Sequence, residues 1–323
     1  MFAWPQAASA TYSIAATDTD TAQVGGAAIS CLGGNFSVGI VYGSAVGAGV
    51  VHAQAYVDFD FRGRQRAVEL LEEGIAPAEI IAEIADPLFD SDAERRQYGV
   101  VDVSGRAAGF TGSAASSHAS DRQGSTGAFA YSVQGNLLTS EAVIDQAEEA
   151  FRAGGCDLAD RLVRALEAGA DGGEGDHRCT GDGIPGDTAF LQVDRPGEPA
   201  WLRIELESEA GLDALAVLRA EYDAWRADNP CPASGADAGI SADAGGIADA
   251  GSAGGDAGGA DAGHDAGDRG GGCATASPNR PFDALALVIL SWLAIRLAAR
   301  GYRSHESGRT LSSKASRTLP GGA

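Results

Sequence analysis

Residues 11–16 read Thr11-Tyr12-Ser13-Ile14-Ala15-Ala16, a strand-like run, and directly before them stands Ala8-Ser9-Ala10. The triplet is a small-x-small cleavage pattern. Cleavage after Ala10 makes Thr11 the first residue of the mature chain. An N-terminal threonine carries a hydroxyl nucleophile and, on the same residue, an α-amino group titrating near neutrality that can act as its base. The expectation is a hydrolytic nucleophile at the head of the first strand. Residues 1–6 contain no basic residue and no apolar run of the ~7–15 residues that a signal core requires, so residues 1–10 are read as the end of a longer signal peptide or as a leader.

Working outward, composition divides the rest into a mixed, globular stretch over 11–232, a Gly/Ala/Asp tract over 233–272, a cysteine with an apolar segment and a basic end over 273–303, and a tail over 304–323 read as disordered. The first stretch is long enough to bury one sizeable core and shows no internal repeat. The net charge of −22 is shared between it and the tract, where Asp237, Asp243, Asp249, Asp256, Asp261, Asp265 and Asp268 face almost no positive charge. Nucleic acid is thereby disfavoured as a partner. Self-repulsion and the near absence of large apolar side chains make the tract a flexible tether. It lacks the regular spacing of calcium-binding nonapeptides, so it is read as a spacer.

Cys31, Cys156, Cys179 and Cys231 fall in the globular stretch and Cys273 stands apart. Four cysteines allow two disulfides in an oxidising compartment, with three connectivities. The pairing preferred here is Cys31 with Cys179, leaving Cys156 and Cys231; four buried or tolerated thiols are the alternative for a cytosolic chain.

Residues 282–299 are apolar but short of the ~20 needed for a full crossing, and Asp283 and Arg296 interrupt them. Arg296 is near enough to the end to snorkel, and Arg300 and Arg303 follow, so the segment is expected to anchor the chain in a membrane with its tail inside. The order Gly270-Gly271-Gly272-Cys273-Ala274-Thr275-Ala276, apolar segment, arginines resembles the C-terminal surface-sorting signal of myxobacteria. That resemblance implies removal of the helix by a membrane protease and a lipid on Cys273. The chain departs from it by continuing through His305 to Ala323.

Within the globular stretch, strands are expected near 11–16, 24–30, 37–42, 47–56, 97–103, 107–111, 129–134, 187–193 and 201–206. Helices are expected near 62–73, 77–85, 140–153 and 158–168, the last with Leu158, Leu162, Ala165 and Leu166 on one face. A final helix carries Leu212, Leu215, Leu218, Tyr222 and Trp225 on one stripe. Strands grouped with paired helices argue for an α+β fold of antiparallel sheets covered by helix layers.

Several strings in this stretch occur in order: Thr11-Tyr12-Ser13-Ile14-Ala15, Gly26-Ala27-Ala28-Ile29-Ser30, Ala53-Gln54-Ala55-Tyr56, Arg96-Gln97-Tyr98-Gly99-Val100-Val101-Asp102, Phe110-Thr111-Gly112, and Tyr131-Ser132-Val133-Gln134-Gly135-Asn136-Leu137-Leu138. Together they resemble the bacterial domain of unknown function 1028 family. The resemblance implies an Ntn-hydrolase-like αββα sandwich, two stacked antiparallel sheets between helix layers, whose first strand presents its N-terminal residue. Many relatives begin Met-Thr, which agrees with cleavage before Thr11. Some bear a peptidoglycan-binding domain, which points toward a cell-envelope polymer. Relatives often have Lys after the Ser of the second strand, whereas this chain has Cys31, so a cation that would depress the Thr11 amine is absent from that position. His52 stands where relatives usually have a small polar residue.

For acyl transfer, Thr11 Oγ1 attacks a carbonyl, its own amine shuttles the proton, and preorganised donors meet the oxyanion. Asn136 and Gln134 offer amide N–H groups in a turn after a strand, beside Gly135; Ser30 and Gln54, near neighbouring strand ends, complete the pocket. The alternative is a turn whose side chains cap local backbone. Asp18 and Asp20 are read as closing a loop. Asp176-His177-Arg178-Cys179 holds no ligand pair at zinc spacing, and Gly124-Ser125-Thr126-Gly127 is no nucleophile elbow. His52 and His118 are read as structural or solvent-facing. Nothing calls for a cofactor or a metal. The functional expectation is an exported, surface-anchored amidohydrolase; a surface binding module or a structural surface protein, with homo-oligomers compatible, is the alternative.

The tether and anchor generate a direct expectation. Full-length protein fractionates with membranes, and a chain truncated after Gly272 is released as soluble material. A truncated chain that stayed on membranes would place the attachment in the globular stretch instead.

Overall fold

The computed structural model describes residues 11–232. β1 (Thr11–Asp18) and β2 (Gln23–Ser30) form a hairpin closed by Asp18, whose carboxylate accepts from the Asp20 N–H at 3.0 Å and from Thr21 Oγ1 at 2.7 Å. β3 (Tyr42–Ala45), β4 (Gly49–Ala55), β5 (Arg96–Asp102) and β6 (Ala107–Thr111) follow, with α1 (Arg62–Glu72) and α2 (Pro77–Ile84) inserted between β4 and β5. Then come β7 (Ser120–Thr126), β8 (Phe129–Asn136), α3 (Ala142–Ala153), α4 (Leu158–Ala168), β9 (Thr188–Arg195), β10 (Glu198–Leu206) and α5 (Ala214–Asp228). The strands form two antiparallel sheets, ordered β10-β9-β2-β1-β8-β7 and β3-β4-β5-β6. One apolar cluster joins α3, α4 and α5 to the larger sheet, and another joins α1 and α2 to the smaller. The result is an α+β sandwich with four layers, αββα.

Alternation along the strands assigns the layers. Tyr12, Ile14 and Ala16 of β1 point at the helices with Ala27, Ile29, Tyr131, Val133, Leu191 and Val193. Their neighbours point at the other sheet, and these are small or polar: Ala15, Val24 and Ala28 in the apolar part, and Ser13, Gln54, Gln97 and Gln134 in a hydrogen-bonded part. Local signals set the helix starts. Pro77 occupies the first turn of α2, and the side chains of Asp157 and Asp213 accept from the N–H groups of Asp160 and Ala216 at the starts of α4 and α5.

Two local expectations are corrected. Residues 37–42 are not a strand: Val38–Val41 is a 3₁₀ turn, capped by the Ser37 side chain, which accepts from the Gly39 N–H at 2.9 Å, and the strand begins at Tyr42. Ser120–Thr126 is a strand that the sequence reading left out, because Ser-Asp-Arg-Gln-Gly-Ser-Thr contains no apolar residue; it forms by pairing with β8 at the sheet edge. Disulfides join Cys31 to Cys179 and Cys156 to Cys231. Among the described residues no helix is long and apolar enough to cross a membrane. The anchor expected over 282–299, Cys273 and the tether lie outside the described residues.

His52 is fully buried on the inner face of β4. Its ring lies edge-on to Tyr42, with centroids 5.7 Å apart, and a Cβ at Gly26 would fall 2.2 Å from Nε2. Neither ring nitrogen has a hydrogen-bond partner. Burial pushes the imidazole down to about 3, so it is neutral in the folded protein near neutral pH. The unfolded chain takes up this proton near pH ~6.5 and the folded chain only near 3. His52 therefore leaves stability intact above pH ~6.5 and erodes it as pH falls through that window, by about 1.4 kcal/mol per unit. Urea unfolding of wild type and His52→Leu at a series of pH values between ~6.5 and ~4.5 should show a shallower loss of stability in the variant; equal slopes would assign the acid sensitivity to other groups.

Candidate active site

Thr11 pairs with Ser30 of β2 on one side and Asn136 of β8 on the other, so three polar residues line up at one end of the three central strands of the larger sheet. All three are buried and face the smaller sheet. The Thr11 hydroxyl donates to Ser30 Oγ at 3.2 Å, and Gln54 Nε2 from the opposite sheet donates to the Thr11 carbonyl at 3.1 Å. Gln134-Gly135-Asn136 is not a turn. These residues continue β8, because β1 pairs with it to its last residue, and this excludes the reading in which their side chains cap a local turn.

Below this row lies a connected polar layer. Ser13 Oγ donates to Gln54 Oε1 at 2.6 Å and accepts from Gln134 Nε2 at 2.8 Å, while Gln134 Oε1 accepts from Ser132 Oγ at 2.8 Å. Gln54 Nε2 also donates to Gln97 Oε1 at 2.9 Å. Gln97 Nε2 reaches Thr111 Oγ1, the Ser120 carbonyl and the Gly135 carbonyl at 2.9, 3.1 and 3.0 Å, and Thr111 Oγ1 in turn donates to Asp121. Gly99 makes room for this layer: a Cβ there would stand 2.2 Å from Gln134 Oε1 and 2.5 Å from Ser132 Oγ. Gln54 thus ties the smaller sheet to Thr11 and Ser13, whereas Gln134 bonds Ser13 and Ser132 within the larger sheet and sits opposite Ser13, one pleat away from Thr11. Ser30 and Asn136 are the expected site residues that flank Thr11 directly.

The loop between α4 and β9 covers the same end. Its Asp176 is fully buried and accepts from the Cys31 N–H at 2.6 Å, from the Arg178 N–H at 2.9 Å and from the Arg178 guanidinium at 2.8 and 3.1 Å. Burial pushes the Asp176 carboxyl above the usual carboxylate range, against the pull of Arg178. Arg178 Nη2 reaches Ser30 Oγ at 3.4 Å. A cation therefore stands beside the Thr11–Ser30 pair, although the position after Ser30 holds Cys31. Sequence reading missed it because Ser30 and Arg178 are 148 residues apart; the available signal was Cys179, next to Arg178 and partnered with Cys31. Cys31, Cys179 and Asp187 also bring ligand-type atoms within 4.8 Å of one another, but both sulfurs are spent in the disulfide and Asp187 accepts from the N–H groups of Leu32 and Gly33.

A family model described as a family of unknown function, DUF1028, matches residues 11–216. The chain belongs to this family. The match begins at Thr11, the residue that heads the central strand. Among solved structures, this DUF1028 chain is similar to protein SPO2555 from Silicibacter pomeroyi, a crystal structure assigned to the same family, at 25% identity and a TM-score of 0.54, covering 67% of this chain and 89% of that one. No curated protein matches the chain.

The polar layer gives a stability prediction. Gln97→Ala removes the side-chain acceptor of one Gln54 Nε2 proton and the side-chain donor to the Gly135 carbonyl, at about 1–3 kcal/mol for each group left unsatisfied. Urea unfolding should show a loss of ~2–4 kcal/mol, whereas a loss below ~0.5 kcal/mol would mean that Gln97 does not hold the layer together.

Proposed function

We propose that this DUF1028 chain is an exported, surface-anchored hydrolase of C–N amide bonds, with an Ntn-hydrolase-like arrangement and Thr11 as nucleophile. The observation that carries the reading is the coincidence at Thr11. It follows a small-x-small triplet, opens the family match, and heads a central strand with its hydroxyl 3.2 Å from Ser30 Oγ. Cleavage after Ala10 converts the Thr11 amide nitrogen to an amine, and only an amine can serve as base. Thr11 Oγ1 then attacks the substrate carbonyl while its proton passes to the α-amine. The oxyanion accepts from the Asn136 side chain at the neighbouring strand end. Collapse breaks the C–N bond, the ammonium proton goes to the leaving amine, and an ester remains on Thr11. Water, activated by the same amine, hydrolyses that ester to a carboxylic acid and restores the hydroxyl.

The two disulfides and the acidic tether support placement outside the cytoplasm. An envelope amide is the proposed substrate class, with attachment through the 282–299 segment or a lipid on Cys273. Burial of Thr11, 1% exposed, supports a second reading in which a chain that keeps its leader acts as a non-catalytic surface module.

N-terminal sequencing of protein from its native envelope should return Thr11 first; any earlier start contradicts the self-activated nucleophile. On a cleaved amide, Thr11→Ala abolishes turnover with the fold intact and Thr11→Ser keeps part of it. Asn136→Ala lowers kcat by ~10²–10³-fold, and an unchanged rate would return Asn136 to a structural role.

A further inference from the structure

We infer that Arg178, delivered to Ser30 by the Cys31–Cys179 disulfide, is the positioning cation of the Thr11 site, so that the site is complete only in the oxidised protein. The inference rests on Thr11 being the nucleophile and adds the residue that tunes it. The disulfide joins the residue after Ser30 to the residue after Arg178, with Cα atoms 5.8 Å apart, and so clips the two side chains to the same end of the sheet. Asp176 fixes the guanidinium from the other side through Nε and Nη2, while its carboxylate charge is also met by the main-chain N–H groups of Cys31 and Arg178. The Nη2 edge is what faces Ser30, at 3.4 Å. An antiparallel Leu138–Asp176 bridge stitches the loop down through two hydrogen bonds, the Thr139 N–H to the Gly175 carbonyl at 3.0 Å and the His177 N–H to the Leu137 carbonyl at 3.1 Å.

A guanidinium only donates, so Ser30 Oγ accepts from Arg178 as well as from the Thr11 hydroxyl, which places the cation one side chain away from the nucleophile. The same cation favours the neutral form of a nearby α-amine, the form that can take a proton. Before oxidation, residues 31 and 179 carry two thiols. Exchange with a disulfide-bearing oxidant moves two electrons and two protons to that oxidant, which becomes a dithiol, and the Cys31–Cys179 bond locks Arg178 in place. A nascent chain in a reducing compartment thus lacks the clip, and export supplies it.

The test is the α-amine pKa of mature protein, read from the pH dependence of the chemical shift of a ¹³C-dimethylated Thr11 amine. Wild type should lie below the ~7.7–8.0 of an ordinary α-amine. Arg178→Ala and the pair Cys31→Ser with Cys179→Ser should each raise it by about one unit, Arg178→Lys should return most of the shift, and the pair Cys156→Ser with Cys231→Ser should leave it unmoved. Near-UV circular dichroism checks the fold. If Arg178→Ala does not fold, Arg178→Lys and the Cys31/Cys179 pair decide. An amine pKa indifferent to Arg178 and to the Cys31–Cys179 bond, or one moved as much by the Cys156/Cys231 pair, overturns this inference and leaves Thr11 as nucleophile untouched. A mature chain that does not begin at Thr11 overturns both.

Discussion

The hydrogen-bonded layer between the two sheets is the constraint on which the rest of the structure depends. Sandwich interiors are commonly closed by interdigitating apolar side chains, which tolerate sliding. Here one end is closed by Ser13, Gln54, Gln97, Gln134 and Ser132, each of which requires a partner at bonding distance. Buried amides left unpaired are costly, so the layer admits one register between the sheets. Gly99 keeps the space that those side chains need. The apolar end, with Ala15, Val24, Ala28, Val50 and Phe190, supplies burial but little of that specificity.

This arrangement has a consequence for Thr11. A strand terminus is ordinarily among the least restrained parts of a domain. Thr11 instead lies between two paired strands, its carbonyl tied to the opposite sheet by Gln54 and its hydroxyl tied to Ser30. Rigid support of this kind is what a positioned nucleophile needs. The Cys31–Cys179 disulfide and Asp176 extend the support to Arg178, so the site is braced by the sheets and by a covalent link.

The strands and helices that were legible in the sequence are those whose layer is apolar. Tyr12, Ile14 and Ile29, or Leu158, Leu162 and Leu166, announce their periodicity because burial against helices selects for it. Ser120–Thr126 was not legible, since its inward residues are polar and join the hydrogen-bonded layer. The row Thr11, Ser30, Asn136 was legible through the family strings, but that Gln134 stands opposite Ser13, one pleat from Thr11, is a distinction that only strand register reveals. Arg178 was invisible for a different reason. It reaches the site through a loop 148 residues from Ser30, and the preferred Cys31–Cys179 pairing brings that loop near without showing that the Asp176 carboxylate turns the neighbouring guanidinium toward Ser30.

The most direct test of the central claim is acylation of the mature protein by a β-lactone, followed by peptide mapping of the adduct. A strained lactone acylates an activated hydroxyl without requiring the natural substrate. If the sheets hold Thr11 as a working nucleophile, the folded protein should carry a single adduct on Thr11 Oγ1, and the urea-unfolded chain should not. A folded chain that begins at Thr11 and stays unlabelled, or that is labelled at some other hydroxyl, would contradict the account.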